Sequence, residues 1–178
     1  MKLIYSTVFL VFLFAGCSTE KNHSSNDDSS NSATELFEKN SKTVMAFLEA
    51  YQNEDIDYEK FYSKDYVMRP TWQGGGDSIG ANDVMEDDKK LWAIYDYKIV
   101  SDSINLLPGV SVDTKEADGS VRYYAEWEIT KSATDSTEAK SAILKLYESF
   151  DFDDEGKIVF QQYYGDFGGL RNAINGTE

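Results

Sequence analysis

Four polar residues gather near the end of an otherwise apolar hairpin: Glu148, Gln162, Tyr164 and Asp166. If Gly156 takes a left-handed conformation after a type I turn, Asp153 faces Lys157. Phe152 then opposes Ile158, Phe150 opposes Phe160, Glu148 opposes Gln162 and Leu146 opposes Tyr164. This register puts Leu144, Leu146, Phe150, Phe152, Ile158 and Phe160 on one face, with the four polar groups at one end. A carboxylate there is either a pocket group with a raised pKa or a rim residue in water, and the pattern leaves both open. In a pocket, Tyr164 with Asp166 or Glu148 is a candidate acid–base pair for an isomerase or dehydratase.

Asp88 poses the same question on a helix, four residues after Val84 and three before Leu91. The plainer reading has Asp87 and Asp88 flanking the apolar stripe and pairing with Lys89 and Lys90. Other chemistries are excluded or discounted. His23, the only histidine, precedes residue 35, so the region beyond it has no Asp–His pair. One cysteine allows neither an internal disulfide framework nor a multi-cysteine zinc site. Asp151-x-Asp153-x-Glu155-Gly156 mimics the start of a calcium loop, but Gln162 stands where a bidentate Glu is needed, and the same residues suit a hairpin turn. Gly74-Gly75-Gly76 lacks the Gly-Lys-Ser/Thr ending of a phosphate loop and reads as a loop, or a lid over a pocket mouth beside Trp72. No cofactor motif is present. Seventeen Lys+Arg against 32 Asp+Glu, a net charge of −15, argue against a nucleic-acid partner.

Aromatic residues make up 14% of the chain, too many for disorder. Tyr66, Trp72, Trp92, Tyr123, Trp127 and Tyr164 are candidates to line a pocket for a small, largely apolar molecule, the alternative being ordinary core packing. The elements that must position them follow from periodicity. Phe37, Val44, Phe47, Leu48 and Tyr51 predict a first helix from about Glu35. Ile56, Phe61 and Tyr62 suit a short second helix, opened near Asp55 or Asp57. Tyr66 to Thr71 reads as a short strand, and Val84, Met85, Leu91, Trp92 and Tyr95 as the stripe of a third helix. Period-two alternation then predicts strands over 97–107, ended by Pro108-Gly109, and over 121–131, with Val121, Tyr123, Ala125, Trp127 and Ile129 on one side. Residues 139–152 and 157–165 form the hairpin, and 170–174 a helical turn. Helices followed by an antiparallel meander make an α+β fold.

The N-terminus carries an address. Met1-Lys2 precedes an uncharged run, Leu3 to Phe14, too short to span a bilayer as a stable helix. Leu13-Phe14-Ala15-Gly16-Cys17 resembles the lipobox of bacterial lipoproteins. That resemblance implies a signal peptide over 1–16, acylation of Cys17 and attachment to a membrane of the bacterial cell envelope, with the protein outside the cytoplasm. Residues 17–34 hold no large apolar side chain and read as a flexible tether to a domain over 35–178. With so acidic a chain, the lipid rather than the protein surface must hold it to anionic headgroups.

The element order helix, helix, strand, helix, then four strands resembles the nuclear transport factor 2-like superfamily, in its polyketide-cyclase-like (SnoaL-like) branch. The residues carrying it are Phe47-Leu48-Glu49-Ala50-Tyr51, Tyr66-Val67-Met68, Gly80, and Phe152-Asp153-Asp154-Glu155-Gly156-Lys157-Ile158-Val159 leading into Tyr163-Tyr164. The resemblance implies a cone-shaped, curved antiparallel sheet packed against three N-terminal helices around a pocket; it implies no reaction. It is compatible with a homodimer, which the sequence does not itself show. Enzymes of this superfamily use an Asp–His pair, an Asp–Arg–Asp set or a Tyr–Asp pair. The first cannot form here, and Arg122, alternating with Tyr123, should face away from the pocket. The leading expectation is therefore a lipid-anchored ligand-binding module without catalysis, the runner-up a small isomerase or dehydratase. A third is an interaction or structural protein using Tyr124 and Tyr147 on the outer sheet face.

Overall fold

The computed structural model describes residues 26–72 and 74–177, with side chains from residue 32 onward. Residues 1–16, expected to be a signal peptide, together with Cys17 and His23, lie outside the described residues. Helix α1 (Asn26–Gln52) buries Val44, Phe47 and Leu48, the stripe that predicts it. It begins upstream of Glu35, inside the stretch expected to be a tether, and Ala33 is already buried. Once a packed segment has nucleated a helix, each further residue is fixed with a hydrogen bond gained, so a polar stretch can extend it.

Helix α2 (Tyr58–Phe61) is capped by Asp57, whose carboxylate accepts the Lys60 N–H at 3.2 Å. Strand β1 (Tyr62–Met68) follows at once, earlier than the expected 66–71, because Tyr62 and Tyr66 both point inward and stack with ring centroids 3.8 Å apart. After β2 (Ile79–Gly80), helix α3 (Ala81–Trp92) opens at Gly80 as expected. The single strand expected over 97–107 is two: β3 (Tyr95–Ile99) and β4 (Asn105–Val110). Both pair antiparallel with β5 (Ala117–Lys131), and β4 runs through Pro108-Gly109 rather than stopping there. Proline is tolerated because β4 pairs on one side only. Gly109 lets the backbone approach Ser120 and Arg122, which a Cβ would strike.

Strands β6 (Lys140–Phe152) and β7 (Ile158–Tyr164) and helix α4 (Phe167–Asn175) complete the chain. The sheet order is β2-β1-β7-β6-β5-β3, with β4 also on β5. Only β1–β7 is parallel among these pairings. The long strands β5 and β6 curve, so that their inner face, with α1, α3 and α4, encloses the core. Val121, Tyr123, Ala125, Trp127 and Ile129 are all buried, on the side the alternation predicts.

The β6–β7 register corrects the sequence expectation. The turn end is as read: Gly156 has φ 81°, Asp153 pairs with Lys157, and Phe152 opposes Ile158. Beyond it, Asp151 opposes Phe160, leaving Val159 as an extra residue, a β-bulge. Every later partner shifts by one: Phe150 faces Gln161, Ser149 faces Gln162, Glu148 faces Tyr163 and Tyr147 faces Tyr164. Because side chains alternate, this slip reverses which residues of β7 point inward.

Candidate functional site

The inner face of the sheet and the helices α1, α3 and α4 line a half-open cavity of about 500 Å³. Helix α1 supplies Phe47, Leu48 and Tyr51; β1 supplies Tyr62, Tyr66 and Met68; α3 supplies Val84, Asp88 and Leu91. From β5 come Tyr123 and Trp127, from β6 Leu144, Leu146 and Glu148, from β7 Gln161 and Tyr163, and from α4 Phe167, Leu170 and Arg171. The wall is mainly apolar, with aromatic rings its largest class, as suits a site for a small apolar molecule. Tyr51 sits within a knot of rings, edge-on to Trp92, Tyr97 and Trp127 at 5.3 to 5.9 Å.

Three carboxylates interrupt this wall: Asp87, exposed and paired with Lys90 at 2.8 Å, and two buried acids, Glu148 and Asp88. Glu148, 4% exposed, accepts a hydrogen bond from the Gln161 side-chain amide at 2.5 Å. The Gln161 oxygen in turn accepts from Tyr66 at 2.6 Å and Tyr62 at 3.3 Å. On the other side, the Trp127 N–H donates to the Tyr123 hydroxyl at 3.1 Å, and that hydroxyl bonds to Glu148. Burial disfavours the charged form and pushes Glu148 up from 4.5 to about 7, although its hydrogen bonds from Gln161 and Tyr123 oppose the shift. Asp88, 8% exposed on α3, accepts from the Tyr58 hydroxyl at 2.8 Å. Burial raises it from 3.8 to about 6, the Tyr58 bond opposing and the neighbouring Asp87 charge adding. Tyr51, Tyr62, Tyr66, Tyr97, Tyr123 and Tyr163 are all held above the ordinary tyrosine range, chiefly by burial. They are hydrogen-bond donors at neutral pH, and the carboxylates are the groups near their titration point.

Of the residues expected at the site, Trp72, Tyr66, Tyr123, Trp127 and Glu148 line the cavity. Trp72 stacks on Tyr163 with centroids 5.9 Å apart. Gln162 and Tyr164 do not line it: the Val159 bulge turns them outward, where Tyr164 is 51% exposed and donates to Gln162 at 3.1 Å. Gln161 and Tyr163 take the inward places. Asp166 caps α4, accepting the Gly169 N–H at 2.8 Å, and so positions the helix rather than facing the cavity. Trp92 lies behind the wall against Tyr51, its indole N–H buried without a hydrogen-bond partner. The plainer reading of the helical acids holds for Asp87, which pairs with Lys90 at 2.8 Å, and fails for Asp88, which points inward. Arg122 faces outward as expected and pairs with Asp151 at 2.9 Å.

Tyr51, Tyr62, Tyr97, Gln161 and Tyr163 are the site residues that sequence reasoning missed. The first three carried a signal: Tyr51 continues the three- and four-residue spacing of Val44, Phe47 and Leu48 on α1, and Tyr62 and Tyr97 alternate in phase with inward residues of their strands. Asp153 accepts backbone N–H groups of Glu155 and Lys157, so its carboxylate serves the turn. Among the described residues, no group of three or more His, Cys, Asp or Glu side chains is placed to hold a metal ion.

No protein-family model and no curated protein matches the sequence significantly. Solved structures do match in shape. A candidate polyketide cyclase from Xanthomonas campestris pv. campestris aligns with a TM-score of 0.61 at 15% identity, over 78% of this chain and 98% of that one. A second candidate polyketide cyclase, from a Silicibacter species, aligns with a TM-score of 0.60 at 15% identity, over 76% and 94%. An LEH-like epoxide hydrolase of M. tuberculosis aligns at 0.52 and 17% identity, over 76% and 89%. With helices packed on a curved, mostly antiparallel sheet, the chain has the nuclear transport factor 2-like fold, of the kind seen in SnoaL-like proteins.

Proposed function

We propose that this is a lipid-anchored protein of the bacterial envelope that binds a small, largely apolar molecule in its cavity. The observation that carries the binding reading is the cavity itself: about 500 Å³, walled by aromatic rings, with the hydrogen-bonded Glu148 set into the wall. Such a site offers area for an apolar body and a few fixed polar groups to orient it. The anchor rests on Leu13-Phe14-Ala15-Gly16-Cys17 at the end of the apolar N-terminal run. Among the described residues, no helix is long and apolar enough to cross a membrane.

Native mass spectrometry of gently purified full-length protein tests the binding reading. The expected result is a retained small molecule, lost in a Trp127→Ala variant that keeps its circular-dichroism spectrum. An empty cavity that also takes up no apolar dye would overturn it. In the same samples, acyl mass on a chain beginning at Cys17, absent after Cys17→Ala, tests the anchor.

One observation favours a second reading, proton transfer in an isomerase or dehydratase. Glu148 at about 7 and Asp88 at about 6 face one cavity, each able to change protonation near neutral pH. The likeness to a candidate cyclase and an epoxide hydrolase is compatible with it. The pair replaces Tyr164 and Asp166 as the residues such chemistry would use. A turnover abolished by Glu148→Gln, with the retained molecule still bound, would favour this reading over simple binding.

A further inference from the structure

Glu148 and Asp88 are buried acids without a cation. No Lys or Arg of the described residues forms an ion pair with either. The cations that reach the cavity wall, Lys90 and Arg171, are exposed, and Lys90 is held by Asp87 at 2.8 Å. Buried carboxylates are ordinarily paired, and a half-satisfied one is costly. Around this pair stand the Tyr62–Tyr66 stack, Tyr51, Tyr97 and Trp127, rings whose negative faces attract cations. The chain as a whole carries −15, which draws cations towards it.

We infer that the cavity takes an organic cation, an ammonium group on an apolar skeleton, seated between Glu148 and Asp88 and among the tyrosine rings. The inference rests on the ligand-binding reading and names the chemistry of the ligand. A neutral apolar molecule would fill the same volume but leave both acids uncompensated whenever they ionise. A cation replaces the missing counter-charge beside two carboxylates that are themselves buried, and the rings add to it.

The groups facing the two acids decide the pH behaviour. Glu148 is faced by Tyr51, Tyr66, Tyr123 and Tyr163, with Asp88 across the cavity. Asp88 is faced by Tyr58, Tyr62 and Tyr97, by Tyr51, Tyr66 and Tyr163, which it shares with Glu148, and by its neighbour Asp87. These tyrosines stay protonated from about pH 5 to about pH 8, as does Lys90, which Asp87 holds in its charged form, so the change in cavity charge is carried by the acids.

The test compares two probes of one shape on the full-length chain, read by tryptophan fluorescence. Benzyltrimethylammonium keeps its charge at every pH, and neopentylbenzene is its neutral carbon isostere. At about pH 8 the ammonium should bind at least about tenfold more tightly. That preference should fade towards parity at about pH 5, where both acids are protonated. Glu148→Gln with Asp88→Asn should remove it at the higher pH while neopentylbenzene still binds. Equal or tighter binding of the isostere at the higher pH would overturn the cation inference and leave the binding reading standing. Failure of both probes to bind would overturn both. A preference that survives low pH would assign it to the rings alone and overturn the role of the acids; this arm needs only the native chain, so it holds even if the double variant does not fold.

Discussion

Glu148 and Asp151 lie three residues apart on one strand and face opposite ways. Asp151, on the outer face, meets Arg122 at 2.9 Å and is partly open to water. Glu148, on the inner face, meets amide and hydroxyl donors, no cation and almost no water. The outer pair is an ordinary ion pair of modest value. The inner acid is held near 7 by burial. The difference shows that alternation along a strand, rather than residue type, separates a surface charge from a group with chemical potential. It also divides the rings: Tyr124, Tyr147 and Tyr164 cluster outside, while Tyr123 and Tyr163 stand inside.

The sharpest way to break this comparison is to truncate one ring on each face. Phe150, fully buried between Phe47 and Tyr123, should cost about 4 kcal/mol as Phe150→Ala. Tyr124, 48% exposed, should cost under about 1 kcal/mol as Tyr124→Ala. Urea unfolding measures both, and similar costs would mean that the outer cluster is covered in solution.

A smaller effect, of opposite sign, is expected at the inner acid. Glu148 binds its proton more tightly folded than unfolded, so its contribution to stability is fully present below about pH 4.5. It is lost as the pH rises through about 7. Glu148→Gln cannot ionise and should be more stable than the native chain at about pH 8, by at most about 3 kcal/mol, with little difference at about pH 4. Asp151→Asn should show no such gain, since its charge is compensated by Arg122. Thermal melts across pH separate the two, and a Glu148→Gln chain destabilised at high pH would show that the ionised carboxylate is needed by the fold.

The fold was legible because its signals are redundant. The Val44–Phe47–Leu48–Tyr51 stripe, the alternation from Val121 to Ile129 and the Asp153–Gly156 turn each specify one element, and tertiary packing agrees with all three. The site was legible only up to the bulge. Val159 adds one residue to β7, and the residues beyond it come as doublets, Gln161-Gln162 and Tyr163-Tyr164. A slip of one therefore exchanges like for like, and composition cannot say which member of each doublet faces inward. Asp88 was ambiguous for a different reason: Tyr58, the group that receives its carboxylate, lies 30 residues away on another helix. Helical periodicity places both acids beside the stripe, and only long-range contact separates Asp88 from Asp87.

The smallest expected effect concerns Asp166, which sequence reasoning placed beside Tyr164 as a candidate acid. Its carboxylate accepts the Gly169 N–H at the start of α4, and that helix carries Phe167, Leu170 and Ile174 to the cavity. Asparagine caps a helix about as well as aspartate, so Asp166→Asn should change stability by only a few tenths of a kcal/mol, whereas Asp166→Ala should cost about 1 kcal/mol. Neither should alter the pH dependence of binding, because the carboxylate serves the helix backbone and Glu148 and Asp88 hold the inner charge. Titrating benzyltrimethylammonium against Asp166→Asn at several pH values checks this. A lost or shifted pH profile with an unchanged melt would move Asp166 from positioning α4 to the cavity itself, and would erase the distinction between the residues that build the wall and those that charge it.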